Sequence, residues 1–168
     1  MGYVNDTHMS QYIPPTAMHA QVGTWTFAAG AVAKTIALHR AANAATGIVT
    51  IPITVPSNSI ALKGSKLMSI EVDYELLLAV AVSVTAVLNK IVYNADGAAP
   101  TVTQPAITQD LAADVAAVVE DQHKMIVTIT TPEWVDDGTV YELAMSFECG
   151  AAVTVDVLAA VANFTLRI

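Results

Sequence analysis

A single cysteine, Cys149, means that no internal disulfide can form, and the chain shows no sign of an oxidative folding route. Charge is also scarce. Charged residues make up 13% of the 168 positions, against roughly 25% in an average globular protein. Lys and Arg total 7 against 15 acidic residues, a net charge of −8, and they form no basic stripe or arm. That argues against direct nucleic-acid binding and against attraction to an anionic membrane. The longest apolar stretch, Leu76 to Leu88, is broken by Ser83 and Thr85 and falls short of the about 20 residues a spanning helix needs. Met1 to Asp6 has neither a basic nor an apolar leader region, and Asp6 stands where a myristoylation motif wants Ser or Thr. These absences predict a soluble protein made in a reducing compartment.

Aliphatic residues dominate what is present. The sequence is 54% hydrophobic but only 6% aromatic, so Ala, Val, Ile and Leu must build the core. So few charges leave the surface to Thr, Ser, Ala and Asn, as expected where neighbouring subunits cover it. The length fits one domain, able to bury about 70% of the surface its unfolded chain exposes without a disulfide or metal.

Residues 1–21 read as an extended N-terminal arm. Pro14 and Pro15 fix extended backbone and withhold ladder donors, while Tyr3, Met9, Tyr12, Ile13 and Met18 offer apolar anchors for docking on its own surface or a neighbour's. From residue 22 the pattern is that of strands. Thr24–Phe27 alternates, Lys34–His39 is a shorter candidate, and Val49, Ile51, Ile53 and Val55 share one face, with Pro52 marking an edge or bulge. Met68–Leu76 is the clearest strand: even positions are apolar, and odd ones carry Ser69, Glu71, Asp73 and Glu75. Val80, Val82, Val84, Ala86 and Leu88 are in phase. Asn94–Gly97 and Asp136–Gly138 are turns, and strands follow over 124–130, 141–149 and 152–168. Within 98–122, Leu111, Val115, Val118 and Val119 are spaced as in a short helix, with Asp110 as N-cap, or else form a loop. The expectation is an all-β, antiparallel, jelly-roll-like sandwich of about eight strands spanning 22–168.

No catalytic motif emerges. His8, His19, His39 and His123 form no ligand-spaced pair, and there is no nucleophile elbow, phosphate loop or dinucleotide fingerprint. Cys149 follows Phe147 in phase, which points to a small core residue and not a nucleophile. Glu71, Asp73 and Glu75 stand about 7 Å apart along one strand face, whereas a retaining glycosidase needs carboxyls about 5–5.5 Å apart in a cleft. Trp134 beside Glu133, Asp136 and Asp137 is a possible ligand contact. Asp-Asp-Gly is ordinary turn chemistry, and the loop lacks the calcium-binding frame. The sequon at Asn163 is read as incidental. No cofactor or metal is expected.

Four stretches carry a family likeness: Ser10–Met18, Gly23–Thr26, Val55–Ser59 and Ala160–Leu166. With them the chain resembles small proteins of tailed bacteriophages and viral metagenomes regarded as virion components. The resemblance implies a jelly-roll-like capsid, decoration or fibre subunit, assembled in the host cytoplasm as a homo-oligomer, often a trimer. Function would then lie in self-assembly, with itself and other virion proteins as partners and not catalysis. The alternative is a sandwich module that binds carbohydrate or a cell surface. Its stacking candidates are Trp25, Trp134 and Tyr141, of which Trp25 and Tyr141 fit the core better.

Overall fold

The structure, a computed structural model, describes residues 6–29, 36–56, 64–94, 96–110, 121–135 and 138–167. It is the expected all-β antiparallel sandwich, but with twelve strands: β1 (Asp6–Ile13), β2 (His19–Val22), β3 (Thr26–Ala29), β4 (Ile36–Asn43), β5 (Gly47–Thr54), β6 (Ser65–Leu77), β7 (Ser83–Val92), β8 (Thr101–Thr103), β9 (Ile107–Gln109), β10 (Asp121–Ile129), β11 (Thr139–Glu148) and β12 (Val153–Arg167). The large sheet runs β3-β4-β12-β6-β10-β9, and β1 also pairs with β12. The small sheet runs β2-β5-β11-β7-β8.

The four strands beyond the expected eight have two sources. Residues 6–21, the described part of the expected extended arm, instead join both sheets. β1 pairs with β12 from Asp6 opposite Arg167 to Ile13 opposite Ala160, a short 3-10 turn spans Pro15–Ala17, and β2 pairs with β5. The prolines confine the turn to three residues instead of keeping the whole segment irregular. β8 and β9 come from the region expected to be helix or loop, but each is only three residues long, too short to show alternation. The expected helix over 111–119 lies outside the described residues.

Alternation sets the core, as the sequence predicts. Val49, Ile51 and Ile53 of β5 and Tyr141, Leu143, Met145 and Phe147 of β11 face Ile70, Val72, Tyr74 and Leu76 of β6. Cys149 is buried in line with them. Pro52 lies on β5 just past the reach of β2, which pairs only with residues 48–50, so at Pro52 β5 is locally the edge of its sheet. Trp25, Phe147, Tyr74 and His123 form a chain of tilted ring contacts through the core, with centroids 6.1, 5.6 and 5.2 Å apart.

Two bulges shift the phase. Pairing between β12 and β6 passes from Val157 opposite Tyr74 to Ala159 opposite Asp73, which leaves Leu158 unpaired. Inward positions on β12 therefore change from odd (Val153, Val155, Val157) to even (Ala160, Ala162, Phe164, Leu166). The second shift skips Met68 between Leu67 and Ser69, so Met68 is exposed and Leu67 takes the core position. Val80 and Val82 also face solvent, because β7 begins only at Ser83.

Arg40 is buried on the inner face of β4. It donates to the carbonyl of Ala45 and to Cys149 Sγ, and it sits 6.0 Å from the centre of the Trp25 ring. Gly47 makes this packing possible: a Cβ there would lie 2.9 Å from Trp25 and 3.0 Å from Arg40. Gly47→Ala is therefore expected to destabilise the fold by about 1–3 kcal/mol, the usual cost of overpacking, as read by chemical denaturation.

Candidate functional site

The two outward faces of the sandwich differ sharply. On the small sheet, outward positions of β5, β7, β8 and β11 include Ile48, Val87, Ile91, Val102, Val140 and Ala144, and only Glu142 and Glu148 are charged. The outward face of β1, β12, β6 and β10 instead carries an ordered polar network.

Register brings that network together. One cross-strand row sets Ser10, Asn163, Ser69 and Thr128 side by side; the next sets Tyr12, Val161, Glu71 and Ile126. Ser10 Oγ donates to Asn163 Oδ1 at 2.6 Å. Asn163 Nδ2 donates to Ser69 Oγ at 3.2 Å and to Glu71 Oε1 at 3.1 Å. Lys124 Nζ reaches Glu71 at 3.1 Å and Asp73 at 3.8 Å. Further along the face, Asp156 is buried and meets His39 Nδ1 at 2.6 Å, with Glu75 beside it in the ladder. The bulge at Met68 opens a shallow cavity of about 350 Å³, lined by His8, Ser10, Met68, Ser69, Asn163 and Thr165 among others.

The carboxylates on this face are not equivalent. Hydrogen bonds from Lys124 and Asn163 hold Glu71 below the usual carboxylate range. Burial, reinforced by the charges of Asp156 and Asp121, pushes Glu75 above it. Neither is paired with a second carboxyl in a cleft, and Glu71 is committed to its cation. Among the described residues, no group of three His, Cys, Asp or Glu side chains could hold a metal ion.

The residues expected to form an assembly arm divide between core and surface. Ile13, Pro15 and Met18 are buried against the chain's own sandwich, Met9 packs at its edge and Pro14 is half-buried. Tyr12, expected to be an anchor, is 62% exposed, because its position on β1 points away from the core. Tyr3 lies outside the described residues. Trp134, expected as a ligand contact, is half-buried, with Lys66 Nζ 4.4 Å and Arg167 Cζ 4.0 Å from its ring centre. A backbone bridge between Ser65 and Val135 puts it there. Of its acidic neighbours, Glu133 pairs with Lys90 at 2.7 Å, while Asp136 and Asp137 lie outside the described residues. Tyr141 is buried, its hydroxyl pushed up to about 12 by burial and by the Glu133 charge, and Trp25 packs on Phe147. Of the two docking surfaces expected for Tyr12, its own or a neighbour's, the fold leaves it off its own core. Its neighbour Ile13 held the signal: on a strand, adjacent residues take opposite faces.

No family model matches the sequence, and no curated protein matches it. Solved structures do. A carbohydrate-binding module of the β-sandwich superfamily matches with TM-score 0.42 and 10% identity, covering 92% of this chain, which spans 55% of that chain's length. A family 11 carbohydrate-binding module from Clostridium thermocellum, in complex with a β-1,3-1,4-mixed-linked tetrasaccharide, matches with TM-score 0.34 and 9% identity over 98% of this chain and 89% of that one. Matches at these scores say nothing about what this chain binds.

The opposite shifts of Glu71 and Glu75 have opposite consequences for stability. Glu71, with its lowered value, stabilises the fold above its unfolded titration range, and that contribution is lost as pH falls through the folded value. Glu75, with its raised value, costs stability that is fully present above the folded value and disappears as pH falls from there through the unfolded range. Glu71→Gln is therefore expected to lower the neutral-pH melting temperature and Glu75→Gln to raise it. Each effect should be at most about 1 kcal/mol and should fade as acid protonates the carboxyl, that of Glu71 at the lower pH, as checked by thermal melts across pH.

Proposed function

We propose that this chain is a non-catalytic recognition module that binds a neutral polyhydroxyl ligand, a carbohydrate, on the outward face of the large sheet. The carrying observation is the cavity at the Met68 bulge, with Tyr12 standing exposed one row away. Its lining offers hydroxyls from Ser10, Ser69 and Thr165, the Asn163 amide and the His8 ring, groups that both donate and accept as sugar hydroxyls do. The Tyr12 ring supplies the flat apolar surface on which a sugar ring packs. A few convergent polar groups beside an apolar platform make the ordinary composition of a small-molecule site. The carboxylates here serve the network: Glu71 is held ionised by Lys124 and Asn163, which suits ligand positioning and not proton donation.

A second reading, a structural subunit of a virion, draws on the weakly charged outward face of the small sheet and on the sequence resemblance. The polyhydroxyl reading ranks first because it has a formed site.

Isothermal titration against a panel of soluble oligosaccharides, with a mixed-linked β-glucan tetrasaccharide as first probe, tests it. Tyr12→Ala is expected to weaken binding at least tenfold while leaving the melting temperature within a few degrees, since the side chain is exposed. Binding by the variant equal to wild type, or no binding across the panel, overturns the proposal.

A further inference from the structure

Inward positions of β7 begin as core: Val84, Ala86 and Leu88 are all buried. The next in phase is Lys90. It stands opposite Tyr141 of β11 on one side and Thr103 of β8 on the other, so the three share the face turned toward the large sheet. A lysine at such a position points its ammonium between the layers, and its side chain is only 18% exposed. Protection of a bare sheet edge does not account for it, because β8 pairs with β7 at this very residue.

A cavity receives it. β8 belongs to the small sheet and β9 to the large one, and residues 104–106 carry the chain across. Gln104 Nε2 donates to Asn89 Oδ1 of β7 at 3.2 Å, and the Thr130 N–H just past β10 donates to the Ala106 carbonyl at 2.9 Å, which ties the crossing to both layers. The cavity measures about 380 Å³, within the roughly 300–1,000 Å³ of small-molecule sites. It shares no lining residue with the one at Met68. Pro105, Ala106 and Ile129 supply the apolar part of its lining, and Lys90 and Glu133 its only charges, one of each sign and 2.7 Å apart. Tyr141 lines it too, and its hydroxyl has no hydrogen-bond partner among the described residues.

We propose that this cavity binds a free aliphatic amino acid, its carboxylate on Lys90 and the Tyr141 hydroxyl, its ammonium on Glu133. Lys90 keeps two N–H donors beyond the one Glu133 accepts, and Glu133 keeps a second carboxylate oxygen. Burial and the Glu133 charge hold the Tyr141 hydroxyl protonated, and therefore a donor. A ligand with one charge meets a repelling partner as well as an attracting one: a plain carboxylate faces Glu133, and a plain amine faces Lys90. An amino acid presents both charges side by side, as the Lys90–Glu133 pair does, and satisfies each. Carrying no net charge, it is not repelled by a chain of net charge −8. Its aliphatic side chain gains by burial against Pro105, Ala106 and Ile129. The site does not depend on the carbohydrate reading.

Titration of the isotope-labelled full chain with L-leucine, followed by amide chemical shifts, is the test. Wild type is expected to saturate, with shifts centred on Lys90, Thr103 and Tyr141. Isocaproate, which is leucine without its amine, and isoamylamine, which is leucine without its carboxylate, are each expected to bind about tenfold or more weakly. Glu133→Gln alters an exposed side chain and is expected to weaken L-leucine about tenfold with little change in melting temperature. Tyr141→Phe removes only a hydroxyl and is expected to weaken it about threefold or more. No saturation by L-leucine or another aliphatic amino acid at millimolar concentration overturns the proposal. So do shifts centred elsewhere, equal binding of isocaproate or isoamylamine, or wild-type affinity in both variants.

Discussion

Strand β12 sustains three other strands at once, and the molecule depends on its hydrogen-bond ladder. One of its edges runs along β6 for nearly its whole length, while the other is shared end to end by β4 and β1. No single inward phase would serve both halves. The extra residue at Leu158 solves this by switching which side chains face the core without ending the strand. Val153, Val155 and Val157 then fill one end of the core and Ala160, Ala162 and Phe164 the other. The small residues in the second half leave room for Ile13 and Met9, by which β1 packs onto its own domain.

Bulges of this kind also place the candidate site. Where Met68 drops out of register, β6 bends away from a regular ladder and the Ser10–Asn163–Ser69 row borders a shallow cavity. Most of the ion pairs are gathered on this same outward face, while that of the small sheet remains almost uncharged. With so few charged residues, their placement divides the surface into regions suited to different partners. Edges follow the same economy, with the Gln109 side chain standing in for a missing strand beside Ala86.

Much of this was legible in advance. The alternation in β5, β6 and β11 specified two-layer β structure, and Cys149 was correctly placed in the core by its phase with Phe147. The same reasoning set Val80 and Val82 in phase with Val84, Ala86 and Leu88, yet they are exposed while those three are buried, because a two-residue period does not mark where a strand begins. Met68 failed for a related reason, since a bulge leaves no local signature when the extra residue is itself apolar. Three-residue strands such as β8 and β9 contain too few positions to show any period.

Taken alone, the sequence determined the class of fold, the identity of most core residues and the scarcity of charge, all of which follow from composition and from a strictly local period of two. Tertiary structure decided everything that depends on register. It turned the N-terminal segment into β1 and β2, exposed Tyr12 while burying Ile13, laid Lys66 and Arg167 against Trp134, and linked Ser10, Asn163, Ser69 and Glu71 into one network. The physical reason is that alternation fixes which residues share a face of a strand. Only long-range pairing fixes which strands, and at what offset, lie beside one another.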